Sequence, residues 1–308
     1  MPKFHVSRSI IINAPAERVF GVVSDFGTWT TWSPWLLAEP DAKVIVSEES
    51  SSVGSSYSWE GQVVGAGEME HESLTPNRKI ESEIRFLKPF KSISKVAFDI
   101  AETPDGTELT WHMHGSLPFF LFFMKPQMET FIGMDYDRGL KMLKEWIETD
   151  SISSKVDIKG VQSVDGMTVV GVRKSCPVAK IGETMSDAFT EAESKVAAAG
   201  MPTDGQQVSV YHKFDMKNGI FEFTSGYQVP QASNADGLSV WSMPTSEAFR
   251  VDHQGCYGHL GNAWSAANQH VRYKKMKQSK VGTFEIYKNS PDSTPKEELL
   301  TEIYLPLK

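Results

Sequence analysis

Apolar and polar positions alternate along residues 3–12, the pattern of a half-buried strand. Asn13-Ala14-Pro15-Ala16-Glu17 then starts a helix, with proline early and an acid in the first turn. Val19, Phe20, Val22 and Val23 supply its apolar face. A tryptophan-rich stretch follows, D-F-G-T-W-T-T-W-S-P-W at 25–35. Short alternating segments come next, at about 43–47, 56–64, 67–75, 78–87, 93–102 and 106–114. Turn signals at Pro76-Asn77 and Pro104-Asp105-Gly106 punctuate them and predict an antiparallel meander. Residues 125–149 carry Ile132, Tyr136, Leu140, Leu143 and Ile147 at spacings of three or four, the apolar stripe of a long helix. Together these predict an α+β domain over 1–150, its antiparallel sheet curled around the long C-terminal helix to bury that stripe.

The polar run T-D-S-I-S-S-K at 149–155 reads as a linker to a second domain at 156–308. There, Val156–Val164 and Met167–Arg173 flank a turn at Asp165-Gly166, a hairpin-like pair. A helix over 183–199, closed by Gly200, precedes strands at about 207–213 and 219–229. The order then returns, with a strand at 241–251, a helix at 259–273 and strands at 282–288 and 301–306. Thr294-Pro295-Lys296-Glu297 adds a capping-box helix start. Strand pair, helix, strand pair, twice over, predicts a pseudo-twofold β-α-β duplication with a central cleft.

A repeated pentapeptide sharpens that expectation. Residues 219–223 read G-I-F-E-F, and 282–286 read G-T-F-E-I, followed by Tyr287. Strand side chains alternate faces, so Glu285 and Tyr287 share one face while Phe284 and Ile286 take the other. A carboxylate in an apolar cleft is costly unless paired. Glu222 and Glu285 therefore suggest a cleft between similar modules that receives a small organic molecule, with a cation as the natural partner. The plainer reading puts both glutamates on a wet sheet face.

Composition narrows the classes. In residues 1–150, 14 basic side chains face 22 acidic ones, whereas the remainder has 17 of each. Direct nucleic-acid binding needs a basic field and is not expected. The one basic cluster, Arg272, Lys274, Lys275, Lys277 and Lys280, falls at a helix end, where cations complement the dipole. Two cysteines, Cys176 and Cys256, make neither a disulfide framework nor a metal motif, and fit a reducing, cytoplasmic setting. No apolar run approaches the length of a membrane helix, and no signal-peptide pattern opens the chain. Phosphate-loop and dinucleotide fingerprints are absent, so no cofactor is expected. His112 and His114 share a strand face, but no third ligand shows a clear spacing, and no metal is expected.

The element order, W-S-P-W at 32–35, W-E-G at 59–61 and G-L-K-M-L-K-E-W at 139–146 resemble the START-like SRPBCC superfamily, in its polyketide cyclase/dehydrase branch, across residues 3–148. That resemblance implies a helix-grip fold with an apolar cavity between sheet and helix. The strand-face pairs Tyr57 and Trp59, Ile84 and Phe86, and Trp111 and Met113 are its expected lining, although each is equally an ordinary core residue. In the second half, V-Y-H-K-F-D at 210–215, H-Q-G-C-Y at 253–257 and the run F-E-I-Y-K-N-S-P…E-E-L-L-T-E-I-Y-L-P-L at 284–307 resemble the GyrI-like small-molecule-binding domain, also the effector-binding module of AraC- and MerR-type regulators. The resemblance implies a cleft lined by aromatics around an acid, placing Glu285 there with Tyr287, Tyr257 and Trp264. No helix-turn-helix precedes the domain.

Three functions follow as expectations. The first is binding of small hydrophobic or amphipathic molecules in both halves, for sensing or sequestration. The second is an enzyme, either a GyrI-like hydrolase with Glu285 as catalytic acid/base or a cyclase/dehydrase-like activity in the first half. The third is a co-regulator that reports its ligand to a protein partner; a homodimer is also open. A Cys256–His pair is a minor nucleophile candidate. The apolar run Leu117–Met124 reads as an internal contact ahead of the long helix, with a cavity lid, an interdomain or dimer contact, or a membrane-surface foot as alternatives.

Overall fold

The computed structural model describes residues 3–117, 119–216, 218–231 and 236–308, with the side chains of 119–121 also outside the description. The chain divides into two compact units, Met1–Ile152 and Ser153–Lys308.

In the first unit, strands β1 (Lys3–Ile12), β2 (Lys43–Val46), β3 (Ser56–Glu60), β4 (Ala66–Thr75), β5 (Lys79–Lys88), β6 (Ser92–Thr103) and β7 (Gly106–Ser116) form one antiparallel sheet in the order β1-β7-β6-β5-β4-β3-β2. Helix α1 (Ala16–Ser24) and the single turn α2 (Trp29–Trp32) precede the meander. The long helix α3 (Lys125–Thr149) has proline in its first turn and ends at Asp150, whose left-handed backbone returns its N–H to Trp146 at 2.8 Å. Its stripe, Tyr136, Leu140, Leu143 and Ile147, is buried against the sheet. Gly139 permits the closest approach, since a β-carbon there would lie 2.9 Å from the Trp111 ring. The W-S-P-W loop is pinned to the same helix: Trp35 Nε1 donates to Asp135 at 2.9 Å, and Arg138 donates to the Pro34 carbonyl at 2.9 Å.

At its C-terminal end the apolar run differs from the internal contact expected of it, whereas Leu117 packs against the first core. Phe122 and Phe123 are 57% and 66% exposed, in a 3-10 segment Phe119–Met124. Pro118 lies outside the described residues.

The second unit holds an eight-stranded sheet of β8 (Ser154–Val164), β9 (Met167–Pro177), β10 (Gln207–Asp215), β11 (Ile220–Gln228), β12 (Ser239–Met243), β13 (Ser246–Gly255), β14 (Thr283–Tyr287) and β15 (Leu300–Pro306). Helices α4 (Ile181–Ala198) and α5 (Leu260–Tyr273) complete it. The strand order β12-β9-β11-β10-β14-β15-β13-β8 is a palindrome of two β-β-α-β-β modules. Its pseudo-twofold axis falls between β10 and β14.

Three local expectations change. β8 and β9 do not form a hairpin with each other; β8 pairs with β13 at one edge, and β9 lies between β11 and β12. The burial pattern agrees, since β8 alternates exposed and half-buried positions, whereas Val169 to Val172 of β9 are buried on both faces. The strand expected over 241–251 is two strands broken at Pro244, which lacks the N–H a ladder needs. The Thr294–Glu297 start yields only a 3-10 turn, Lys296–Glu298, because Leu300 already enters β15.

Candidate functional site

The site follows from the row of residues that crosses the second sheet at its axis. Val172, Ser225, Ser209, Glu285, Ile303 and Val251 lie side by side on neighbouring strands. Read from either end, the row is apolar outside and meets at Ser209 and Glu285, which face each other across the axis. The two central strands correspond as V-S-V-Y (208–211) and F-E-I-Y (284–287). Ser209 is thus the structural counterpart of Glu285, and Tyr211 that of Tyr287.

This corrects the pairing suggested by the pentapeptide. Glu222 lies on β11, one strand away from the axis, and its face is opposite to that of Glu285. It forms an ion pair with Arg173 at 2.8 Å on a half-exposed surface. Phe221 and Phe223 of that strand, rather than its glutamate, share the Glu285 side and pack with Tyr287.

Glu285 is 1% exposed. Three aromatic side chains surround its carboxyl, two of them as hydrogen-bond donors. The Tyr287 hydroxyl donates to Oε2 at 2.5 Å, the Trp264 indole donates to Oε1, and the Tyr211 hydroxyl lies near the same carboxyl. None of the three carries positive charge. Burial is the larger influence and raises the Glu285 pKa above the usual carboxylate range; the interactions with Tyr287, Trp264 and Tyr211 oppose it. Burial next to the same acid drives the Tyr211 and Tyr287 hydroxyls well above ten, and the Tyr257 hydroxyl up to about 12.

Trp264 reaches the acid from α5, and its ring meets Tyr211 edge-on at 5.1 Å. Met185 on α4 touches the Tyr287 hydroxyl at 3.0 Å. Tyr257 and Phe189 cross the Tyr287 ring edge-on, both at 5.5 Å. Tyr211, Phe221, Phe189, Tyr257 and Trp264 are all half-buried, so a partly wet aromatic rim surrounds a dry acid. Tyr211 and Ser209 are the site residues that sequence reasoning missed. The internal match of 208–211 with 284–287 was the signal for both. A register shift between Tyr211 and Lys213 marks a bulge beside the site, a device that re-aims side chains.

Cys256 precedes the 3-10 turn Tyr257–His259 that leads into α5, between the two histidines of the candidate pair. Buried His253 points Nε2 at Ser154 Oγ, 3.0 Å away.

In the first unit, Tyr57, Ile84, Trp111 and Met113 are buried, and Trp59 and Phe86 pack against the same cluster. Trp111 stacks on Tyr136 at 3.9 Å, with Trp32 and Phe98 also against it. Its indole N–H is buried without a hydrogen-bond partner, and such a donor costs about 1–3 kcal/mol. Among the described residues, no helix is long and apolar enough to cross a membrane.

Residues 3–148 match the family described as polyketide cyclase / dehydrase and lipid transport. Residues 161–308 match the GyrI-like small molecule binding domain. No curated protein matches the chain. Among solved structures, protein CV1439 from Chromobacterium violaceum is 19% identical over 47% of this chain and 99% of its own, with a TM-score of 0.37. The EcmrR C-terminal domain is 20% identical over 50% of this chain and 98% of its own, with a TM-score of 0.40. The Aha1 dimer from Colwellia psychrerythraea is 15% identical over 47% of this chain and 97% of its own, with a TM-score of 0.36. By these family matches the first half of the chain is similar to the polyketide cyclase/dehydrase and lipid-transport family, and the second half to the GyrI-like small-molecule-binding domain.

Proposed function

We propose that the second domain binds small amphipathic cations against Glu285, and that the protein serves as a sensor or sequestering agent for them. The observation that carries this is a buried carboxyl whose two hydrogen-bond donors, Tyr287 and Trp264, are neutral aromatics, with the Tyr211 hydroxyl nearby. A cation entering between the half-buried rings would neutralise the charge that burial makes costly, and the ring faces would add cation–π attraction. The first domain is proposed to take an apolar or amphipathic ligand with one acceptor atom. The unpartnered Trp111 N–H supports that choice, since an acceptor there would remove an existing penalty.

The test is a melting-temperature screen of the full chain against paired compounds, aromatic quaternary ammonium ions and their neutral isosteres. At 100 times the dissociation constant, a bound cation stabilises by about 2.7 kcal/mol. The cations should raise the melting temperature and the isosteres should not. Glu285→Gln should remove the cation shift while leaving any effect of neutral ligands on the first domain. An unchanged cation shift in Glu285→Gln would falsify the anchor.

A second reading rests on the raised Glu285 pKa. A carboxyl that holds its proton nearer neutrality suits general acid/base catalysis. Hydrolysis of a reactive ester or epoxide by the wild type, abolished in Glu285→Gln with binding retained, would favour the enzyme. Binding without turnover would leave the sensor.

A further inference from the structure

The solvent-facing side of the first sheet carries a histidine cluster that neither proposed pocket uses. His112 and His114 stand two apart on β7, and the antiparallel register with β1 puts His5 directly opposite His114. Strand pairing thus supplies the third histidine that chain spacing alone concealed. One ring nitrogen from each of the three lies within 4.8 Å of the others. His5 Nε2 and His112 Nδ1 are 3.0 Å apart, and the His5 ring stacks on His114 at 4.0 Å. The other nitrogen of His112, Nε2, faces Asp99 Oδ2 at 3.1 Å. All of this lines an open groove of about 570 Å³.

We propose that His5, His112 and His114 bind one zinc-type divalent ion, with Asp99 as the positioning residue and water completing the coordination. Three imidazoles with a vacant fourth position are a ligand set suited to zinc, and imidazole nitrogen prefers the late divalent metals over magnesium or calcium. Tetrahedral zinc with bonds of 2.0–2.1 Å sets its ligand nitrogens about 3.3 Å apart. The His5–His112 pair is already close to that separation, and exposed His114 holds a ring nitrogen within 4.8 Å of both. Asp99 fixes the division of labour on His112. With Nε2–H donated to the carboxylate, Nδ1 keeps its lone pair and points at His5. A carboxylate that orients a ligand histidine from behind is a recurring feature of zinc sites. The nearby cations do not oppose the ion, because Lys79 is paired with Glu81, and Lys95 with Glu72 and Glu83.

The experiment uses the full chain, stripped with chelator and titrated with zinc chloride by calorimetry. One equivalent should bind, and His5→Gln and His114→Gln should each weaken it at least tenfold. His212→Gln, in the other domain, should bind as wild type. Asp99→Asn should lose about 10–100-fold, with an unchanged metal-free melting temperature, and Asp99→Glu should restore most of it. Cobalt(II) loading should give ligand-field bands of low coordination number that vanish in His5→Gln. Absence of saturable uptake, or equal uptake by His5→Gln and His114→Gln with folding intact by circular dichroism, overturns the site.

Discussion

At the scale of single residues, burial acts in opposite directions on the acid and base side chains of the second domain. Burial raises the Glu285 pKa, so between its unfolded and folded values the native state holds the proton more tightly. That contribution to stability is complete below the unfolded carboxylate pKa and is lost as pH rises through the folded one. His253 is the reverse case. It is fully buried, and burial, with His259 beside it, lowers its pKa to about 4. The unfolded chain then binds the extra proton, so stability from neutral His253 is present above about pH 6.5 and is lost as pH falls towards 4. The difference between the two values corresponds to about 3 kcal/mol. Urea unfolding at pH 7.5 and pH 5 should show the wild type losing a large part of that margin. His253→Gln, which still reaches Ser154, should flatten the loss. An equally steep acid loss in the variant would assign it to other groups, of which buried His71 in the first domain, also lowered by burial, is the next candidate.

At the scale of elements, what was legible was whatever periodicity writes down. The stripe of α3 and the alternation of β4 to β7 were plain because each uses a single period, 3.6 or 2, over many residues. Pairing partners were not legible. Nothing local in β8 says that it joins β13, or that β1 brings His5 to His114, because register is set by which faces can be buried together. The pentapeptide misled for the same reason: its two copies present opposite faces to the helices, whereas the quieter match of 208–211 to 284–287 holds the true equivalence. Close approach between elements also escapes a sequence reading, and Gly139 tests it. Alanine gains helix propensity of about 1 kcal/mol over glycine. At Gly139 the new methyl meets Trp111, held by Trp32, Phe98 and Tyr136, and Pro34 at 3.2 Å. Overpacking there costs about 1–3 kcal/mol, so Gly139→Ala should lower stability by about 1 kcal/mol. Gly21 in α1 is exposed, with open space around a β-carbon, and Gly21→Ala should raise it by roughly 0.5–1 kcal/mol. Two equal shifts in thermal unfolding would show that helix α3 does not depend on its contact with Trp111.

At the scale of the whole molecule, the question is whether each unit carries what it needs to fold. Every residue of the first apolar core, from Phe4 to Ile147, belongs to Met1–Ile152. The four smaller cores of the second sheet draw only on Ser153–Lys308. Among the described residues, each sheet is built only from strands of its own unit. At roughly 150 residues, a chain buries about 68–70% of its unfolded surface, enough for an independent fold. Residues 1–152 and 153–308, expressed separately, should therefore each unfold cooperatively, and their far-ultraviolet spectra should sum to that of the full chain. The same division assigns the two ligand sites. The zinc equivalent should travel with 1–152, and the cation response of Glu285 with 153–308. A fragment that folds yet loses its own ligand would mean that the site draws on groups beyond its unit, because every partner of Glu285 and of His112 named above lies within one unit.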